Sequence, residues 1–373
     1  MKKDKLDALL VTNVENFIYF VGLSGAFGMK DSYDRPGIAI IPSEGEPICV
    51  VAANQTSNIL PVVKEENIKE YTSTLGVPSE ILVSAMKEIG LRNKRVGIEA
   101  GLAQRLGMPY GEFTRLLKSF PQINFIDASS LIWKMRMVKS EEEIKIMKTA
   151  ADITGRARQK CFGKIVPGMT YRDVGRLLTK LMVEEGADKA SFIAVTSYPQ
   201  DDVTASRHVR YMHLLPETPL RKGEALNIDA GAYSYVYTVD YNRWAVLGRA
   251  TDKMVKYYKI VTHVNRKMSE AVKPGLTCED IYKVAEHELK SLGAFPKYQT
   301  AGRMGHGMGM LFTEPPSVTL GDRTKLEPGL VISTEPQAHG EGMRIVWEDI
   351  WVVIEGGVEL ISTETAELTE MVG

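Results

Sequence analysis

Residues 225–243, ALNIDAGAYSYVYTVDYNR, decide how this chain folds. An apolar run closes on Asp229, and Asp240 follows eleven positions later (240 − 229). β-branched and aromatic residues fill the span between them, which reads as two strands joined by a tight turn. Alternation along such strands aims both carboxylates at one inward face. Two inward aspartates with no cation between them are costly, because each is desolvated and each repels the other. The pair therefore predicts a metal.

Three further segments extend the set. His306 lies between glycines in GRMGHGMG (302–309), Glu335 follows the apolar stretch GLVIST (329–334), and Glu348 stands in WEDIWVV (347–353) with Asp349 as a competing neighbour. Four carboxylates and one imidazole are too many for a single cation. They suit two divalent cations about 3.5–4 Å apart that share a water or hydroxide. An oxygen-rich set with one nitrogen favours manganese, cobalt or iron, with zinc compatible. The rival reading of 302–309, a glycine-rich nucleotide loop, fails on pattern. It has no Walker lysine, and Phe312–Pro316 prevents a helix from opening behind it.

The order Asp, Asp, His, Glu, Glu, the eleven-residue gap and the strings GHGMG…EPP, TEP and WED resemble the pita-bread metallohydrolases. That family includes prolidase, aminopeptidase P, methionine aminopeptidase and the metal-free creatinase. DALLVTNVENFIYFVGLSG (7–25) resembles the opening of the creatinase/prolidase amino-terminal domain, so the likeness runs through nearly the whole chain. It implies an α+β protein, with an amino-terminal α/β domain followed by a pita-bread domain of pseudo-twofold build. Asp229, Asp240, His306, Glu335 and Glu348 would hold two divalent metal ions, and Glu335 would also carry the catalytic proton. The activity implied is Xaa-Pro peptidase, either prolidase or aminopeptidase P, with a bridging hydroxide attacking the bond before proline. A creatinase-like or ectoine-hydrolase-like enzyme opening a small non-peptide C–N bond is the alternative. A module that kept the fold but lost catalysis would have damaged ligands, and none is damaged here. Fold analogy implies a homodimer.

Three positions depart from the family pattern. Thr313 stands where family peptidases carry a second histidine, seven residues after His306. His339 stands where a tyrosine is usual, and Val346 fills the slot of an arginine that here lies earlier, at Arg344. Thr313, His339 and Arg344 are thus the candidate substrate-binding residues. Threonine carries no positive charge, so either the catalysis changes or another group supplies the missing donor. His213, sixteen residues before Asp229 (229 − 213), is the candidate, with His208 competing. Arg243 matches a family arginine and is expected to brace the aspartate strand.

Composition sets the frame. At 373 residues the chain is long for one core, and two domains are expected, 1–135 and 136–373. A formal charge of −1 gives no reason to expect nucleic acid or an anionic membrane as partner. No apolar run reaches the roughly 18 residues of a membrane span. The first residues make a poor signal peptide, and three separated cysteines without a CxxC pair suit a reducing cytoplasm. DALLVT, GIAIIP, PICVVAA and RVGIEA read as strands of the first domain, and Ser79–Gly90 as a helix capped by Ser79. SEEE at 140–143 offers a capping box. In the second domain VPGMTYRDV (166–174) recurs as KPGLTCEDI (273–281), an offset of 107 residues (274 − 167). Each copy reads as a Pro-Gly helix stop followed by a Thr-capped helix, the mark of a duplication.

Overall fold

The computed structural model describes residues 1–22, 35–74, 76–201, 217–296, 302–363 and 367–371. The chain divides into two compact units, Met1–Met135 and Arg136–Gly373. The first is built on a mixed six-stranded sheet. Ala8–Val11 lies inside it, antiparallel to Ile38–Pro42 and parallel to Arg95–Ile98. Ile48–Ala52 and Ile68–Tyr71 extend one side, and Asn124–Asp127 closes the other. The Ile68–Tyr71 and Asn124–Asp127 strands carry too few apolar residues for the sequence pattern to single them out. The helix expected at Ser79–Gly90 runs Ser79–Glu88, but its cap is Pro78, so Ser79 is the first helical residue and not the N-cap.

The second unit repeats one plan. Helices Glu141–Phe162 and Tyr171–Glu184 precede the strands Lys189–Pro199, Glu224–Ser234 and Tyr241–Val246. Helices Asp252–Ala271 and Cys278–Ser291 precede His306–Gly307, Glu314–Ser317, Val331–Thr334 and Asp349–Ile354. The echoed motifs form matching junctions. Thr170 with Asp173 and Thr277 with Asp280 each make a reciprocal capping box. Such a cap stabilises a helix by about 1 kcal/mol. Gly168 donates to Leu220 O at 2.8 Å, and Gly275 donates to Leu326 O at 2.9 Å. Ser140 and Glu143 box the long helix as expected.

Helical periodicity explains the packing. Met147, Ala150, Ala151, Thr154, Ala157 and Cys161 are buried along the first helix, and Met254, Tyr257, Val261, Val264 and Met268 along its counterpart. The Glu224–Ser234 strand serves both halves. Leu226, Ile228 and Ala230 pack into the first helix pair, whereas Ala225 on the opposite face joins Trp244 and Val246 in the second core. Asp229 lies on that second, inward face, directly opposite Asn242.

Candidate metal centre

The expected hairpin is more broken than alternation suggests. Glu224–Ser234 turns at Tyr235, pairs with a two-residue strand at Tyr237–Thr238, then resumes with Tyr241–Val246. Asp240 occupies the break. Gly231 permits it, since a Cβ there would lie 1.8 Å from Val239 O. Asp240 thereby reaches the side of the sheet that Asp229 faces, and the two carboxyls are close enough to share a proton when no cation separates them.

The second half brings three groups to the same place. His306 sits on a short strand between Glu314–Ser317 and Val331–Thr334. Glu335 directly follows Val331–Thr334, and Glu348 directly precedes its partner strand Asp349–Ile354. Asp240, His306 and Glu348 offer ligand atoms within 4.8 Å of one another, and all three are buried. His306 Nε2 is 3.6 Å from Asp240 Oδ2 and 3.4 Å from Glu348 Oε1. Asp229 and Glu335 are only half-buried. The centre is an inner trio with an outer carboxylate pair.

Electrostatics show what the arrangement needs. Burial, then the charges of Asp229 and Glu335, push Asp240 well above the usual carboxylate range. Burial and the same crowd of acids raise Glu348, and burial with Asp229 pushes Glu335 up to about 7. Burial lowers His306 to about 3, so its ring is neutral. Its Nδ1 lies 2.9 Å from Gly307 O. A neutral ring that donates there leaves the Nε2 lone pair facing two carboxylates. Among the described residues, Asp229 Oδ1, Asp240 Oδ1 and Glu348 Oε1 are buried without a hydrogen-bond partner. Orphaned carboxylate oxygens and an imidazole lone pair converging on one spot are what divalent cations would satisfy. The residues fit the metal pair.

Asp349, the competitor of Glu348, is engaged elsewhere. It accepts from Arg243 Nη2 at 2.7 Å, Trp347 Nε1 at 2.7 Å and Ser362 Oγ at 2.8 Å. Arg243 also donates to Glu348 O at 2.7 Å and stacks over the Trp347 ring at 4.0 Å. It thus ties the aspartate strand of one half to the glutamate strand of the other, as a bracing residue should.

The substrate-binding candidates fall into two groups. His339 and Arg344 face each other across the hairpin Gln337–Gly340/Met343–Val346. His339 Nε2 is buried without a partner among the described residues, and burial with the Arg344 charge lowers its pKa to about 4. Arg344 and Val346 share one face of their strand, and the Arg344 charge is felt at Glu335. Thr313 stands apart on the His306 side, accepting a hydrogen bond from Arg303 Nη2 at 3.3 Å. His213 and His208 lie outside the described residues. Arg303 was not singled out in the sequence. It stands three residues before His306, but only the folded loop shows that its charge reaches Asp240, Glu335 and His306.

Known proteins share this architecture. The profile of Metallopeptidase family M24 matches residues 145–355, and that of the Creatinase/Prolidase N-terminal domain matches residues 1–138. A Xaa-Pro dipeptidase of Pyrococcus horikoshii is 28% identical, the match covering 99% of this chain and 96% of the relative. One from Pyrococcus furiosus is 26% identical over 99% and 97%. The prolidase structure from Pyrococcus horikoshii OT3 has a TM-score of 0.80 at 24% identity, covering 99% of this chain and 97% of its own. The Xaa-Pro dipeptidase structure from Bacillus anthracis has a TM-score of 0.83 at 24%, covering 99% and 96%. At that identity the structures speak for the fold, a creatinase-type domain followed by a pita-bread domain. The profile match spans more than half of the chain, and the chain belongs to metallopeptidase family M24, the metal-dependent peptidases.

Proposed function

We propose that this protein is a dinuclear metal-dependent Xaa-Pro dipeptidase that cleaves a short peptide before proline. The observation that carries the reading is the buried trio Asp240, His306 and Glu348 with Asp229 and Glu335 beside it. It lies in a chain two of whose full-length relatives are named Xaa-Pro dipeptidases. All five side chains would hold the cations, manganese or cobalt foremost, with iron or zinc as alternatives. When bound, two such ions supply Lewis acidity toward a carbonyl oxygen and bring the acidity of water near neutrality. The Glu335 carboxylate takes the proton of the attacking water and returns it to the departing proline nitrogen. His213 donates a hydrogen bond to the developing oxyanion, while His339 and Arg344 border the substrate on the far hairpin.

Thr313 and Val346 keep a second reading in view, a creatinase-like or ectoine-hydrolase-like opening of a small C–N bond. One screen separates them. Protein loaded with manganese or cobalt is offered Xaa-Pro dipeptides, longer Xaa-Pro peptides, creatine and ectoine. Turnover of Xaa-Pro dipeptides is expected. Turnover of creatine or ectoine with none of any Xaa-Pro peptide would replace the first reading with the second.

A further inference from the structure

The cations around the carboxylate cluster are not equivalent. Arg158, whose charge reaches Asp229, is fully buried and donates to Tyr241 O at 2.6 Å. Arg243 is committed to Asp349 and to the Glu348 carbonyl. Arg303 is different. It is half-buried, and among the described residues its guanidinium donates one hydrogen bond, to Thr313 Oγ1, and forms no ion pair. A guanidinium has five N–H donors in a rigid fork, so most of this one is unused.

Its backbone explains why it does not collapse onto the carboxylates. The next residue, Met304, is pinned on both sides, donating to Val318 O at 2.8 Å and accepting from Glu335 N at 2.9 Å. Gly305 then takes φ +141, with Ser333 O only 2.1 Å from where a Cβ would stand. The charge is nonetheless near the centre, since the neighbouring Met304 carbonyl accepts from Glu335 N, His306 follows three residues on, and the guanidinium itself donates to Thr313. A cation held beside the reacting centre, yet unpaired with it, leaves room for an anion brought by the substrate. Thr313 supports this reading. A protonated imidazole at 313 would repel the guanidinium, whereas the threonine hydroxyl accepts from it.

We infer that Arg303, steadied by Thr313, grips the free carboxylate of the substrate, so that the enzyme selects short acids whose carboxylate lies next to the scissile bond. The guanidinium fork matches a carboxylate in a two-bond geometry that neither an amide nor a longer chain reproduces. This specificity assignment rests on the Xaa-Pro dipeptidase reading, and the experiment keeps the two apart.

Steady-state kinetics on an Xaa-Pro dipeptide and its carboxamide give the acid-over-amide ratio of kcat/KM. Arg303→Met should lower that ratio about 10- to 100-fold, as expected for the loss of a charge-assisted hydrogen bond, mainly through KM. Arg303→Lys should recover part of it, and Thr313→Val should lower it by a smaller factor. Metal content and Tm of each variant guard against misfolding. A second arm needs no turnover. Calorimetric titration of manganese-loaded protein with L-proline and with L-prolinamide should show the wild type preferring the acid, and Arg303→Met losing that preference. An unchanged ratio in Arg303→Met overturns the assignment while leaving the dipeptidase reading intact. A wild type that turns over no Xaa-Pro peptide yet binds proline through Arg303 overturns only the dipeptidase reading. A wild type that binds both probes equally, or neither, overturns the Arg303 assignment itself.

Discussion

At the residue scale, burial divides the five candidate ligands into a fully buried trio and a half-buried pair, and Glu335 belongs to the pair. Removing its ability to hold a proton, without changing its shape, isolates its role. Glu335→Gln should lower kcat by roughly 10²–10⁴-fold, the usual contribution of general acid–base catalysis. KM should change little, because the proton moves in the transition state. Stopped assays under saturating metal, with elemental analysis alongside, check this, and near-normal turnover would take Glu335 out of the role. Hydrogen-bond partners distinguish Glu348 from Asp349. Asp349 is saturated by Arg243, Trp347 and Ser362, while Glu348 Oε1 is buried with none among the described residues.

At the element scale, strand ends and one tight loop aim the ligands. Gly305 joins Met304 to His306 through a backbone geometry that side chains rarely adopt, and an added Cβ would strike Ser333 O at 2.1 Å. Gly305→Ala should therefore shift His306 and weaken metal binding by at least tenfold in calorimetric titration, with strain of about 1–3 kcal/mol in unfolding free energy. Arg243 links the strands that carry Asp240 and Glu348. Its ion pair with Asp349 is buried, and breaking such a pair from one side costs about 3–5 kcal/mol. Arg243→Ala should lose stability on that order in urea unfolding, and Arg243→Lys should recover only part, lacking the planar fork. The capping boxes at Ser140, Thr170 and Thr277 were legible because Ser/Thr followed three residues later by an acid is a local pattern. The break at Asp240 was not, because it depends on Val239 O approaching Gly231 across the hairpin.

At the scale of the whole molecule, the centre couples stability to pH and metal. The Glu335 carboxyl rises from an ordinary 4.5 to about 7 in the metal-free fold, with Asp240 and Glu348 raised as well. The metal-free native state therefore binds more protons than the unfolded chain in this window. The contribution of Glu335 to stability is fully present below pH 4.5 and is lost as pH rises through about 7. Chelated protein should accordingly show a falling Tm from pH 5 to pH 8. Cations need the same groups deprotonated, so the stabilisation they add should grow with pH, reaching about 2.7 kcal/mol when free metal is 100 times Kd. Thermal scans with chelator and with manganese test both signs. A Tm of the chelated protein that rises with pH would contradict the cluster as described.

The sequence by itself determined the kinds of groups and their order, because ligand type, glycine flanks and helix stops are properties of neighbours along the chain. It also carried the duplication, since the 107-residue echo builds the same cap and the same backbone hydrogen bond twice. Only the tertiary structure decided which carboxylate faces the centre and which faces Arg243. It alone showed that Arg303 stands beside Thr313 without pairing to the acids it influences. Both depend on side-chain direction and on distances across segments far apart in sequence, and no local pattern encodes those. A charge acts through space, so its place in the chain does not reveal what it touches.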